Sequence, residues 1–320
     1  GIRDLVRSRG LGDVYKRQAL TLVGVSDQSL DKAAQAYGRE VARQEALWQQ
    51  EASDGEALLR HKREGRPPAR LYGALDGTSV HTRGTAGEDL WRELKVGAWF
   101  ETTSRPPRTP DGAWTIAARN ITYYTDIGDA QQFGELVWAS GVQRRAHLAP
   151  ELIFLGDGAA WIWNLVSAHF PHAVQIVDWF HACAYIDPVA QVACKDKVAR
   201  DAWVAQVRAD LWAGRLEAVI AACAACVNPN REHDPAQAAV TYFTHNRHRM
   251  DYPTYRAKGY QIGSGTIESG AKQIGLQRMK VPGARWNLDS ARYVAKARAA
   301  FLSGQWDTLA ARRQRLSNAA

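Results

Sequence analysis

The sequence predicts an α/β fold, a mixed five-stranded sheet flanked by helices, with an all-helical insertion before the last helical region. Three observations predict it. Three strand-like runs follow one another between residues 69 and 127, and a helix–strand–helix–strand alternation occupies 129 to 180. From about 182 to 250 the chain is Ala-rich and helical in pattern. Neighbouring strands followed by β-α-β crossovers imply a mixed sheet with helices on its faces.

Each element has its own signal. Residues 27–65 combine Ala, Gln, Glu and Arg with apolar Ala36, Val41, Leu47 and Trp48, and read as helical until Gly65-Arg66-Pro67-Pro68 breaks the pattern. The run 69–82 places Leu71, Gly73 and Leu75 on one side of a pleat, and strands 94–103 and 120–127 follow around a Pro-rich loop, Ser104 to Gly112. Phe133, Leu136, Val137 and Ser140 recur at helical spacing. ELIFLGDG (151–158) is a short apolar run ended by a turn, AAWIWNLVSAHF continues as a helix, and AVQIVDWF (173–180) reads as the fifth strand. A last helical region runs from Thr266 onward. This order is that of an RNase H-like fold.

Composition sets outer limits. The chain has 320 residues, 46% hydrophobic and 23% charged, which predicts a packed core rather than disorder. No run approaches the roughly 18 apolar residues of a membrane span, and the basic first residues lack a following apolar region, so a cytoplasmic, non-membrane protein is expected. The first 18 residues resemble translated adapter sequence and are expected to be non-native. The expected organisation is 1–18 adapter-derived, 19–65 a helical remnant of an N-terminal region, and 66–185 the first part of the sheet-bearing core. Residues 186–258 form the helical insertion and 259–320 the C-terminal helices of the core.

The net charge of +8 suits a polyanionic partner, but its distribution says more. Between Ser269 and Ala300 stand seven basic residues, Lys272, Arg278, Lys280, Arg285, Arg292, Lys296 and Arg298, against Asp289 alone. That local excess predicts phosphate contacts. The four cysteines, Cys183, Cys194, Cys223 and Cys226, form no disulfide framework. Cys223-x-x-Cys226 with His245 and His248 departs from zinc-ligand spacing, and its Ala-rich surroundings favour packing of small thiols in a helix.

Three acids carry the chemistry. Phosphoryl transfer on DNA uses two divalent ions about 4 Å apart, and Mg²⁺ prefers oxygen ligands, so carboxylates must converge from separate elements. Asp76 falls in the first strand and Asp157 just after the fourth, while Glu268 falls on the first turn of the last helix. Each also has a plain structural explanation. Asp76-Gly77 suits a hairpin turn, Asp157 an N-cap, and Glu268 a helix-dipole partner.

The segments YGALDGTSV (72–80), IFLGDGAAWIWN (153–164), VDWFHACAYI (177–186) and GYQIGSGTIESGAKQIGLQRMKVPGARW (259–286) closely resemble DDE transposases of the ISKra-four insertion-sequence family. The resemblance covers roughly residues 66–305 and is most specific in its last segment. It implies an RNase H-like catalytic domain with Asp76, Asp157 and Glu268 as metal ligands, and Mg²⁺-dependent cleavage and joining of DNA at the element's ends. Two Mg²⁺ ions, replaceable by Mn²⁺, and a homo-oligomer on double-stranded transposon-end and target DNA follow from the same resemblance, as does a nucleoid-associated location. Asp178-x-x-His181 matches a pattern seen after the second aspartate of related transposases. His181, expected at the end of the fifth strand, is placed to reach a phosphate or orient a water, or else is a histidine satisfied at a strand end. Lys272, Arg278, Lys280 and Arg285 offer phosphate donors, and Trp286 offers a stacking face or core packing. Trp161 and Trp163 read as core. Two other functions fit the same acids: an RNase H-like structure-specific nuclease that does not join DNA, and a truncated, inactive copy that only binds it.

Overall fold

The computed structural model describes residues 26–63, 65–84, 89–105, 115–280 and 283–319, so the segment expected to be adapter-derived, 1–18, lies outside the described residues. Its five strands form one mixed sheet of order β3-β2-β1-β4-β5, the RNase H-like arrangement expected from the sequence. The chain divides into two compact units, one of Gly1–Leu152, Ser167–His172 and Gly265–Ala320, the other of Ile153–Val166 and Ala173–Ser264. Among the described residues, no helix is long and apolar enough to cross a membrane.

The first unit starts with α1 (Asp27–Ala52) and α2 (Gly55–Arg63). Ser26 caps α1, accepting from the Ser29 N–H, and Asp54 restarts the helix by accepting from the Glu56 N–H at 2.9 Å. Strands β1 (Arg70–Arg83), β2 (Asp89–Arg105) and β3 (Thr115–Asp126) pair antiparallel, with Asp76 opposite Val96 and Gly97 opposite Tyr124. β2 and β3 are longer than the sequence suggested, because ladder pairing carries polar residues beyond the apolar centre. Ser104, expected in a loop, still pairs within β2, and residues 106–114 lie outside the described residues. In β1 the run Leu71–Leu75 is buried throughout, not on one face as alternation suggested. A central strand covered on both sides buries both sets of side chains.

Helix α3 (Ala130–Gln143) packs Phe133, Leu136 and Val137 into this core, and the Trp99 indole donates to Ser140 Oγ at 3.0 Å. At the other end of the chain, α11 (Gly265–Ala271), α12 (Gln277–Met279), α13 (Leu288–Leu302) and α14 (Trp306–Ala319) complete the unit.

In the second unit, β4 (Glu151–Gly156), whose first residues belong to the first unit, pairs parallel with β5 (Val174–Val177) around α4 (Ala160–His169). The expected fifth strand stops at Val177. Asp178 accepts from the His181 N–H and so starts α5 (Trp179–Ala184) where the sequence read three more strand residues. Then come α6 (Ile186–Ala193), α7 (Lys197–Trp212), α8 (Leu216–Ala224), α9 (Pro235–His245) and α10 (Tyr252–Ala257), the helical insertion.

Candidate active site

Within the first unit, Asp76 sits mid-strand rather than in a hairpin turn, half-buried, its Oδ1 accepting from the Gly77 N–H at 2.7 Å. A strand centre fixes the backbone on both sides, which is a rigid base for a ligand carboxylate. Glu268 lies exposed in the first turn of α11. That helix is not the last, as expected, but the first of four, and it runs directly into a π-helical turn, Lys272–Leu276. Single π turns interrupt α-helices often at functional sites. Gly275 is what lets this turn lie against β1, because any Cβ there would overlap the Thr78 methyl. The Tyr123 hydroxyl donates to the Thr266 carbonyl at 3.1 Å, tying the start of α11 to β3.

Within the second unit, Asp157 follows the last residue of β4. Its Oδ1 accepts from the Ala159 N–H at 2.8 Å, an Asx turn, and its carbonyl accepts from the Tyr242 hydroxyl at 2.7 Å. Gly158 adopts φ 104°, and Tyr242 fills the space a side chain would need, so both conformation and contact require glycine there. Asp157 therefore forms the strand-to-helix turn without being the N-cap weighed for it, since α4 begins at Ala160, and the turn uses one carboxylate oxygen.

The sequence named Asp178 only as the first letter of Asp-x-x-His; the structure gives it a larger part. It is fully buried, and its N–H donates to the Gly156 carbonyl at 2.8 Å. Its Oδ1 accepts from the His181 N–H at 2.7 Å and lies 3.2 Å from His181 Nδ1, while Oδ2 accepts a short bond from the Ser264 N–H. Burial alone would raise its carboxyl, but the His181 ring and N–H and the Ser264 donors together hold it below the usual range. Trp179 N–H also donates to the Ile262 carbonyl at 2.9 Å. Asp178 and Trp179 thus anchor residues 262–264, the approach to the helix that carries Glu268. A buried acid after a strand, followed by aromatics, was the available signal. His181 lies in the first turn of α5 rather than at a strand end, half-buried, with its ring against Asp178.

Asp178→Asn has a pH-dependent consequence. A carboxyl held low in the fold contributes stability that is complete above the unfolded value near 4 and lost as pH falls through the folded value. The variant should be destabilised by about 1–3 kcal/mol at pH 7. Urea unfolding at pH 7 and pH 3 measures this; a penalty that does not shrink in acid contradicts it.

The basic segment is less uniform than its sequence. Lys272, Lys280 and Arg285 are exposed, and the side chain of Arg278 lies outside the described residues. Lys296 and Arg298 are buried, and Arg292 pairs with Asp126 at 2.9 Å and donates to the Ile127 carbonyl. Arg298 donates to the Gln273 carbonyl. These three of the seven face the unit's interior and hold it together, so the phosphate-contact expectation contracts to the remaining four. Trp286 is half-buried: its indole donates to the Met279 carbonyl at 3.0 Å, and its backbone exchanges bonds with His81 and Arg83 at the end of β1. Trp163 is buried, as expected, whereas Trp161 is only partly so. Burial pushes the Cys183 and Cys223 thiols up to about 11, and among the described residues Cys223 and Cys226 join no ligand cluster with His245 and His248.

Fold and residues together define a class: an α/β protein with an RNase H-like sheet, carrying an acid in the middle of its central strand and another directly after β4. No family model matches the chain, and no curated protein matches it.

Proposed function

We propose that the chain is a DDE-type DNA transposase that cleaves double-stranded DNA at the ends of an insertion sequence and joins it to a target. The observation that carries this is the placement of Asp76 mid-way along β1 and of Asp157 directly after β4, its neighbour in the sheet order. The resemblance of 259–286 to ISKra-four transposases supplies Glu268 as the third acid and the exposed Lys272, Lys280 and Arg285 beside it.

The donor set fits magnesium: three carboxylates offer hard oxygen ligands, and none of these positions brings a thiolate. Asp76, Asp157 and Glu268 would hold two such ions, or Mn²⁺ in their place. When bound, these ions polarise the scissile phosphate and lower the pKa of the attacking water or 3′-hydroxyl. The chain's own residues do the rest. β1 and the Asx turn after β4 fix the two aspartates. Asp178 holds 262–264 and thereby the entry to α11. His181 presents a half-buried ring that can orient a phosphate oxygen or a water. Lys272, Arg278, Lys280 and Arg285 contact the DNA backbone, and Trp286 lies among them. A homo-oligomer that grips both ends, acting on chromosomal DNA in the bacterial nucleoid, belongs to the same proposal.

Incubation with Mg²⁺ and a plasmid bearing the DNA that flanks the gene tests this. Strand breaks at defined ends followed by joined products are expected. Breaks without joining would favour the structure-specific nuclease, and binding without breaks the inactive, DNA-binding copy. Changing Lys272, Arg278 and Arg285 to Ala should weaken DNA binding and flatten the dependence of log K on log salt by up to roughly 0.9 per lost phosphate contact. An unchanged slope in fluorescence anisotropy titrations removes these residues from the DNA path.

A further inference from the structure

The second unit contains a cleft of about 980 Å³ that the metal chemistry does not use. It is lined by α4, α9 and the loop 227–234, and it begins at Gly158, next to Asp157. Its size is at the upper end of small-ligand pockets, roughly 300–1,000 Å³, enough for a nucleotide and part of its neighbour. Two kinds of group face it. Tyr185 stacks on Tyr242 with ring centroids 3.7 Å apart and planes 13° apart, leaving Tyr185 36% exposed. The Arg249 guanidinium lies 4.9 Å from the Trp163 ring centroid, and Arg249 is steadied by its 2.7 Å bond to Gln175. Around these flat surfaces stand the exposed amides of Asn164 and Gln237.

Flat aromatic faces, a guanidinium and side-chain amides are the chemistry that recognises a nucleobase: the rings stack on any base, the amides donate to and accept from its edge, and the cation favours the attached phosphate. Asp157 reaches the cleft electrostatically, since burial first and then the Asp157 charge raise the Tyr185 hydroxyl above its usual value. We propose that this cleft binds an unpaired nucleotide of a DNA strand, taken out of the duplex beside the cut, with Tyr185 as its stacking face. The choice of DNA rests on the transposase proposal; the stacking site does not.

The test uses the full chain in EDTA, so that metal chemistry plays no part. Anisotropy is read with a labelled eight-nucleotide oligothymidylate and with a duplex of equal length. Tyr185→Ala is expected to weaken single-strand binding about five- to a hundredfold. Tyr185→Phe should stay within about twofold of wild type, because a phenyl ring still stacks. Duplex binding should not change with Tyr185→Ala. Since Tyr185 packs on Tyr242, the exposed Asn164→Ala serves as a second variant with no buried contact to lose, and it too should weaken single-strand binding. An oligonucleotide with abasic sites should bind wild type and Tyr185→Ala alike. No single-strand binding by wild type, equal loss on duplex, or tighter binding of the matching RNA would each overturn the proposal. Tyr185-dependent binding with no cleavage by wild type would sustain the cleft and sink the transposase; cleavage with Tyr185-independent binding would do the reverse.

Discussion

Asp76→Asn, Asp157→Asn and Glu268→Gln should each lower metal-dependent DNA cleavage by at least roughly a thousandfold while leaving DNA binding close to wild type. The expectation follows from the work asked of the carboxylates. Metal ions supply several kcal/mol of transition-state charge stabilisation, and each 1.36 kcal/mol is a factor of about ten in rate. An amide keeps the shape of the acid but offers the cation a neutral oxygen, so the ions lose much of their affinity. In the proposed function, binding of the duplex comes instead from basic residues such as Lys272 and Arg285, and removing a negative charge near the DNA should not harm it. Gel assays of cleavage and anisotropy of binding, run on the same preparations, separate the two. Full activity in any one variant removes that residue from the site. Asp157→Asn is the most discriminating, because the turn it makes with the Ala159 N–H survives in the amide, so loss of activity cannot be ascribed to loss of the turn.

Lys296→Met should cost about 3–5 kcal/mol of stability, the largest structural effect expected in the first unit. The Lys296 ammonium is buried and held by Glu45 at 2.5 Å, the Thr125 carbonyl at 2.9 Å and Asp126 at 3.3 Å. Burial pushes its pKa down, but Glu45 and Asp126 outweigh that and hold it above the usual lysine value. Glu45 is pushed up by burial and pulled back by Lys296. The pair joins α1, α13 and β3, so removing the lysine strands Glu45 without a counter-charge in a dry site. Asp126 keeps Arg292 and suffers less. The double variant Glu45→Met with Lys296→Met should recover most of the loss, since two apolar chains of similar volume replace a costly ion pair. Urea unfolding of the four-member cycle measures this. A single-variant cost below about 1 kcal/mol, or a double variant no better than Lys296→Met, contradicts it.

Lys296 also shows where sequence legibility ends. Strand order was readable because apolar runs, Gly and Pro punctuation and helical spacing are local signals. Asp76 and Asp157 were readable as candidates because they fall in the first strand and just after the fourth, side by side in the expected sheet, and within segments that resemble DDE transposases. Which basic residues face water was not readable: Arg292, Lys296 and Arg298 carry the same formal charge as Lys272, and only the packing of α13 against α1 and β3 turns them inward. The end of β5 was misplaced for a similar reason. DWF continues an apolar pattern, and the cap that Asp178 forms with the His181 N–H outweighs strand propensity. The cleft was invisible altogether, since Asn164 on α4, Tyr185 between α5 and α6, and Gln237 and Tyr242 on α9 are far apart in the chain and meet only on folding.

In the proposed function, Asp76, Asp157 and Glu268 hold a pair of divalent ions. Electron paramagnetic resonance of Mn²⁺ titrated into the chain with end DNA bound tests it most directly. Two ions per chain with the magnetic coupling expected at about 4 Å, lost in Asp157→Asn, is the predicted result. Mn²⁺ binding that is absent, uncoupled, or unchanged by Asp157→Asn would contradict it.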